Sequence, residues 1–530
     1  MRTASTFVLL AIIAQPTSPT LGQATESFNV EVRVATSKPL HPISPFIYGA
    51  SAVAPAKAKE LGLTTTRWGG NRTSRYNWKT QADNAGSDWY FLNGKSGRWS
   101  DFVEGNRKNG LASYLTVPML DWVAKGPDGS GFSVAKYGPQ KKVEPYVADR
   151  GDGLRPDGKP VEANDPRDTS VASTPSFQGE GIRALKIRAD ATLPRLYGLD
   201  NEPMLWSHTH RDVHPNPLGY DEILQKAKDL ALAIKSADPK GLVAGPCTWG
   251  WTDLQYSALD EGNDRYASHF DRKAHGDQPF LSWYLGAMKR ASASAGKRLL
   301  DVVDVHFYPQ GQADGQPVFG GKTTSDAMRG LRIRSTRSLW DRSYKDESWI
   351  GTPVALIPLV RGWVDLQNQG TKICVGEYSW GGDDDPSGAI AQAEILGIFA
   401  REKVDYAYFW AGLGGVQKYA FQLYRNPEGK GPGFGSTYLD ARSTRPETLS
   451  SYASRREDGA ITLILINKDL KKTGRVKLTL DRPESKVSAI YRLPNPPGPI
   501  RRDAAIKGGT TPTAIELPPL TAALLVFPAR

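Results

Sequence analysis

The chain has 530 residues, 39% of them apolar, with a formal net charge of +11 and a mean hydropathy of −0.44. That length exceeds one average domain, and a (β/α)8 barrel alone takes about 250 residues or more, so one large domain with a smaller companion is expected. The polar balance excludes a polytopic membrane protein, and the Lys and Arg residues are scattered without a basic block, so the charge reads as a cationic surface and no nucleic-acid partner is expected.

At the N-terminus Arg2 precedes the apolar run Phe7-Val8-Leu9-Leu10-Ala11-Ile12-Ile13-Ala14, too short to anchor in a bilayer. Small residues follow, and cleavage after Gly22 or Ala24 fits a signal peptide over residues 1–24. The mature protein is expected to be secreted, extracellular or periplasmic, with no membrane span. Phe28, Val30, Val32 and Val34 then alternate with polar residues as a half-buried strand does. This segment, 25–45, is expected to supply an edge to a C-terminal β-domain.

Residues 46–445 alternate strand-like and helix-like stretches. The strands are expected at 46–49, 64–70, 113–120, 194–200, 242–247, 302–308, 371–377 and 405–410. Helices are expected at 220–237, 278–295 and 387–402. The first has an apolar stripe of Ile223, Leu224, Ala227, Leu230, Ala231 and Ile234, and is ended by Pro239 and Gly241. Parallel strands need long crossovers, and eight of them close a barrel, so the fold class is α/β, a (β/α)8 TIM barrel. The connection 128–176 is rich in Gly, Pro and Asp. It reads as a functional rim, with a structural Ca²⁺ as the less favoured alternative to solvated acids. Cys247 and Cys374, the two cysteines, sit in apolar runs as buried free thiols. Short β-rich runs at 460–466, 475–480, 486–492, 514–516 and 522–527 make 446–530 a smaller antiparallel β-sandwich.

Two strands end in glutamate. Tyr197-Gly-Leu-Asp-Asn-Glu-Pro places Glu202 after the fourth strand, followed by Trp206, His208, His210 and His214. Ile373-Cys-Val-Gly-Glu-Tyr-Ser-Trp-Gly-Gly places Glu377 at the end of the seventh. Catalytic groups of a barrel sit at the C-terminal ends of its strands, and glycosidases need two carboxyls flanking the scissile bond. Three of the seven His lie within 208–214 beside Asp212, which raises a metal site; their spacing is not that of helical zinc motifs, so hydrogen bonding is preferred and no metal is assigned.

The strings Trp68-Gly-Gly-Asn-Arg-Thr, Tyr76-Asn-Trp, Asn84-Ala-Gly-Ser-Asp-Trp, Leu199-Asp-Asn-Glu-Pro-Met-Leu-Trp-Ser-His-Thr-His, Asp301-Val-Val-Asp-Val-His-Phe-Tyr-Pro and Gly376-Glu-Tyr-Ser-Trp-Gly-Gly resemble glycoside hydrolase family 44. That resemblance, from about residue 46 onward, implies endo-acting β-1,4-glucanase or xyloglucanase activity with retention of configuration. It implies Glu202 as general acid/base and Glu377 as nucleophile. Arg67 and Tyr308 are expected to hold Glu377 ionised. Trp68, Asn71, Asn201, Trp206, His208, His210, His306, Tyr378, Trp380 and Trp410 complete the expected substrate-binding and supporting set. A β-glucan polysaccharide is the expected partner, no cofactor is required, and a monomer is expected. The alternatives are a xylanase or mannanase on the same barrel, a carbohydrate-binding protein without catalysis, or a metal-dependent hydrolase using the His cluster.

Overall fold

The computed structural model describes residues 26–186, 192–410, 412–429, 433–481, 487–503 and 515–529. The proposed signal segment 1–24 and parts of the runs at 486–492 and 514–516 lie outside the described residues.

Eight parallel strands close into a barrel: Gly49–Ser51, Thr65–Trp68, Ala112–Val117, Arg195–Leu199, Leu242–Thr248, Val302–Phe307, Lys372–Tyr378 and Tyr406–Phe409. Each coincides with an expected run except the first, which is displaced. Pro45–Ile47 form a 3₁₀ turn because Ser44 Oγ caps the Phe46 N–H and Pro45 fits the first helical position. The strand therefore begins at Gly49, where a side chain would run into the Ala407 carbonyl of the eighth strand.

The helices follow the apolar periodicity. Tyr220–Ala237 buries Ile223, Ala227, Leu230, Ala231 and Ile234 on one face, with Asp221 and Glu222 in its first turn, where carboxylates suit the helix dipole. The expected second helix starts slightly later, as Phe280–Ala295. Pro386–Arg401 is buried on every side from Ser387 to Ala400, because the barrel lies on one face and the β-domain on the other. Tyr452 of the β-domain packs against Gly397 so closely that a methyl group there would lie 2.3 Å from the ring. Glu394, on the same helix, accepts from Ser450 Oγ at 2.7 Å and pairs with Lys468 at 3.1 Å.

The second domain is one nine-stranded sheet, antiparallel except for a single parallel pair. The N-terminal strand Ser27–Pro42 lies inside it, antiparallel to Thr437–Ser443 and parallel to Thr473–Leu480. The sheet thus takes up the chain from Thr437, and the expected boundary at 446 falls inside it. Phe28, Val30 and Val476, near one end of the strand order, share a core with Ile490, Leu525 and Phe527 near the other, so the sheet folds over on itself like a sandwich. Its opposite face, with Tyr452, Ile464 and Leu524, joins the barrel's core. Among the described residues no helix is long and apolar enough to cross a membrane.

The connection 128–176 is built onto the rim. Ser170–Ala172 pairs with Trp122–Ala124, and Val134–Tyr137 forms one helical turn. Its acids serve local donors: Asp149 accepts from Ser133 Oγ and the Ala135 N–H, and Asp168 from Lys136 and Tyr137.

Candidate active site

The site begins with two departures from regular backbone. Asp200 and Glu202 both adopt left-handed φ, 69° and 48°. Such strain, of order 1–3 kcal/mol per residue, persists only where the surroundings enforce it. Here the buried Asp200 carboxylate accepts the Met119, Leu120 and Asn201 N–H groups, tying the end of the fourth strand to the end of the third. The Glu202 N–H is held by the Cys247 carbonyl of the fifth strand at 3.1 Å.

The second departure is a bulge at Gly376. Val305 pairs with Val375, but His306 pairs with Glu377, so the ladder skips Gly376. Cys374 already faces the barrel interior, and strict alternation would send Glu377 outward. The extra residue re-aims it inward, a common use of bulges beside active sites.

These features bring one Glu202 oxygen, one Glu377 oxygen and a His306 nitrogen within 4.8 Å of one another. His306 Nδ1 lies 2.8 Å from Glu202 Oε1 and 3.7 Å from Glu377 Oε2. Arg67 Nη1 donates to Glu377 Oε1 at 2.6 Å, and Tyr308 OH donates to Glu377 Oε2 at 2.8 Å. The second Arg67 amino group donates to Asn201 Oδ1 at 2.8 Å. Asn201 also accepts the Gly70 N–H and donates to Asn71 Oδ1 at 3.0 Å. Asn71 is fixed in turn by Asp88.

The surroundings push the two carboxyls apart. Burial and the neighbouring Glu377 raise the Glu202 pKa, and the His306 hydrogen bond only partly offsets them. Burial would raise Glu377 as well, but His306, Arg67 and Tyr308 outweigh it and hold the carboxyl below its usual range. His306, which burial alone would keep neutral, is raised above its usual value by the two carboxylates. Arg67 is completely buried, and Glu377 restores the charge that burial disfavours.

Arg67, Asn71, Asn201, His306 and Tyr308 thus meet at the two glutamates. On the rim, the Trp410 indole closes on Gly70, and half-buried Trp68 packs edge-on against Tyr76 and Phe102. Five expected site residues lie elsewhere. Trp206 is fully buried beneath the helix that follows, edge-on to His214. Tyr378 faces out of the barrel onto Phe399 and Phe409, and its hydroxyl accepts from Gln392. Trp380 is core, packed on Phe307 and donating to Ser335 Oγ at 3.0 Å.

The histidines diverge. The His208 side chain is 68% exposed, near Glu261. His210 is buried against Gly86, where burial and Arg75 hold it well below its usual pKa. His214 pairs with Glu222 at 3.0 Å, and Asp212 is committed to Arg75 at 3.0 Å. They share no metal-binding centre. Among the described residues the one trio of side chains close enough to hold an ion is Glu202, His306 and Glu377.

Sequence reasoning passed over Asp88, which anchors Asn71, Phe319, which packs tilted against Tyr308 with ring centres 4.6 Å apart, and the buried pair Tyr114 and Asp304 beneath Arg67. The readable signal for the last two was glycine in strand interiors. A side chain at Gly198 would strike Tyr114, and one at Gly376 would strike Asp304.

A closed (β/α)8 barrel presenting two strand-end glutamates across one gap, in opposed electrostatic settings, is the architecture of a glycoside hydrolase. The comparisons with known proteins agree. The family model for glycoside hydrolase family 44 matches residues 82–311. Endoglucanase A of Paenibacillus lautus is 32% identical over 526 residues, covering 92% of this chain and 71% of that protein. Beta-mannanase/endoglucanase A of Caldicellulosiruptor saccharolyticus is 30% identical over 498 residues, 87% of this chain; the match spans only 36% of that longer protein. The crystal structure of CelM2, a bifunctional glucanase-xylanase from a metagenome library, superposes with a TM-score of 0.88 at 34% identity, covering 96% of this chain and all of that one. The chain belongs to glycoside hydrolase family 44.

Proposed function

We propose that the enzyme hydrolyses internal β-1,4-glucosidic bonds of plant cell-wall glucans, xyloglucan and soluble cellulose derivatives among them, by double displacement. The observation that carries the mechanism is the gap between the carboxyls. Retaining glycosidases keep them about 5–5.5 Å apart and inverting ones about 6.5–9.5 Å, to admit a water. A closest oxygen–oxygen approach within 4.8 Å matches the shorter, retaining separation.

Glu377, held ionised, attacks the anomeric carbon. Glu202, held protonated, delivers its proton to the departing glycosidic oxygen as that C–O bond breaks. Glu202, now a carboxylate, takes a proton from water, whose oxygen attacks the anomeric carbon and releases Glu377. His306 is the hydrogen-bond partner of Glu202 at 2.8 Å. The double displacement as proposed needs no cofactor, and the enzyme is proposed to act as a monomer. The apolar run after Arg2 supports export.

The test is hydrolysis of xyloglucan and carboxymethylcellulose with NMR detection of the first-formed anomer, using Glu377→Gln as control. The β-anomer is expected first. An α-anomer, or wild type and control equally inert on every β-glucan, overturns the proposal. The relatives' names include mannanase and glucanase-xylanase, so mannan and xylan belong in the same panel as the second reading.

A further inference from the structure

Beneath the two glutamates the barrel holds another buried carboxyl group. Asp304 lies on the sixth strand, two residues before His306, and is fully buried. Its Oδ2 accepts the Tyr114 hydroxyl and lies 3.5 Å from the Cys247 thiol, while its Oδ1 has no hydrogen-bond partner. The Arg67 guanidinium carbon lies 5.3 Å from the centre of the Tyr114 ring. The order upward is therefore Asp304, Tyr114, Arg67, Glu377.

Both elements that carry the glutamates give up a side chain to admit this stack. A methyl group at Gly376 would lie 2.2 Å from Asp304 Oδ1, and one at Gly198 would lie 2.6 Å from the Tyr114 hydroxyl. Glycine inside a strand weakens it, so each marks a close approach that the strand accommodates.

A buried charge left unpaired is strongly destabilising. When Glu377 bonds to the sugar it becomes a neutral ester, and Arg67 loses its principal counter-ion while still completely buried. We propose that Asp304 is a positioning residue, acting through Tyr114, that keeps Arg67 compensated while Glu377 is esterified. This rests on the double-displacement reading. In the first step a Glu377 oxygen forms a bond to the anomeric carbon, the glycosidic C–O bond breaks, and the Glu202 proton leaves with the departing oxygen. Negative charge disappears above Arg67 and positive charge grows on the sugar, and the fixed anion below favours both changes. In the second step negative charge returns to Glu377, and the same anion gives no such advantage.

Asp304→Asn keeps the shape and removes the charge. With 2,4-dinitrophenyl β-cellobioside, whose leaving group departs readily, kcat/KM reports formation of the glycosyl-enzyme and kcat its hydrolysis. We expect kcat/KM to fall on the order of tenfold or more while kcat is unchanged or raised. Asp304→Ser, smaller and also uncharged, repeats the measurement should the Asn variant fold poorly, with thermal unfolding to confirm the fold. A folded variant that loses kcat and kcat/KM in equal proportion, or neither, overturns the counter-ion role. A wild-type enzyme that forms no retained anomer overturns instead the reading beneath it.

Discussion

Replacing Tyr308 by Phe removes a single hydrogen-bond donor from Glu377, the proposed nucleophile. The ring keeps its tilted contact with Phe319 at 4.6 Å, so packing is preserved and the change isolates the O–H to Glu377 Oε2 at 2.8 Å. A hydrogen bond to a charged group contributes about 1.5–3 kcal/mol, which corresponds to roughly tenfold to a hundredfold in a rate that depends on it fully. That rate is the second step, in which Glu377 departs as a carboxylate and needs its donors most. In the first step Glu377 spends its charge, so losing the donor costs less. With dinitrophenyl β-cellobioside kcat should therefore fall by about ten- to a hundredfold, with a smaller fall in kcat/KM. The acid limb should move as well. Tyr308 is one of the groups holding Glu377 below its usual pKa, so without it the carboxyl protonates at higher pH. Since only the ionised form attacks, activity is lost sooner as pH falls, and the limb moves upward. An unmoved limb together with kcat within twofold of wild type refutes the assignment of Tyr308 as a support of the nucleophile.

Glu202→Gln cannot deliver a proton, so kcat/KM on xyloglucan should drop by about 10²–10⁴-fold. Because the raised Glu202 pKa sets where that proton is lost as pH rises, the alkaline limb of the wild-type profile should vanish in the variant; its survival points to another acid. Gly376→Ala puts a methyl group into Asp304 at the bulge, and overpacking of this kind costs about 1–3 kcal/mol. A lower melting temperature with a loss of kcat is expected, and a fully active, equally stable variant contradicts the packing described for this strand. Glu394→Ala removes its contacts with Ser450 and Lys468 at the domain junction and leaves Lys468 only the Pro446 carbonyl, which should cost about 1–3 kcal/mol in denaturant unfolding while leaving KM near wild type.

What could be read from the sequence follows from where backbone geometry is regular. The parallel strands are buried on both faces, so they appear as apolar runs that stand out without any structure, and helix Tyr220–Ala237 buries its expected stripe except Leu224, which is half-buried. Arg67, His306 and Tyr308 were legible for the same reason. Each lies on or just past an unbroken strand, and His306 and Tyr308, two residues apart, share the face that meets the glutamates. Legibility fails where the period is broken. Left-handed Asp200 and Glu202 and the 3₁₀ turn that follows them redirect the chain, so Trp206, which reads as a cleft aromatic beside Glu202, is carried into the core. Beyond Glu377 the bulge has already reversed the alternation, so Tyr378 faces the helices instead of the sugar, and Trp380 goes down onto Phe307. The same irregularities make the site. A barrel strand of strict period cannot point both Cys374 and Glu377 inward, and the extra residue that allows it must be small enough to pass Asp304. Gly376 is therefore one requirement seen from two sides, the aim of Glu377 and the room for the Asp304 carboxyl beneath it, and sequence periodicity shows neither because it presumes the regular strand that the site has to break.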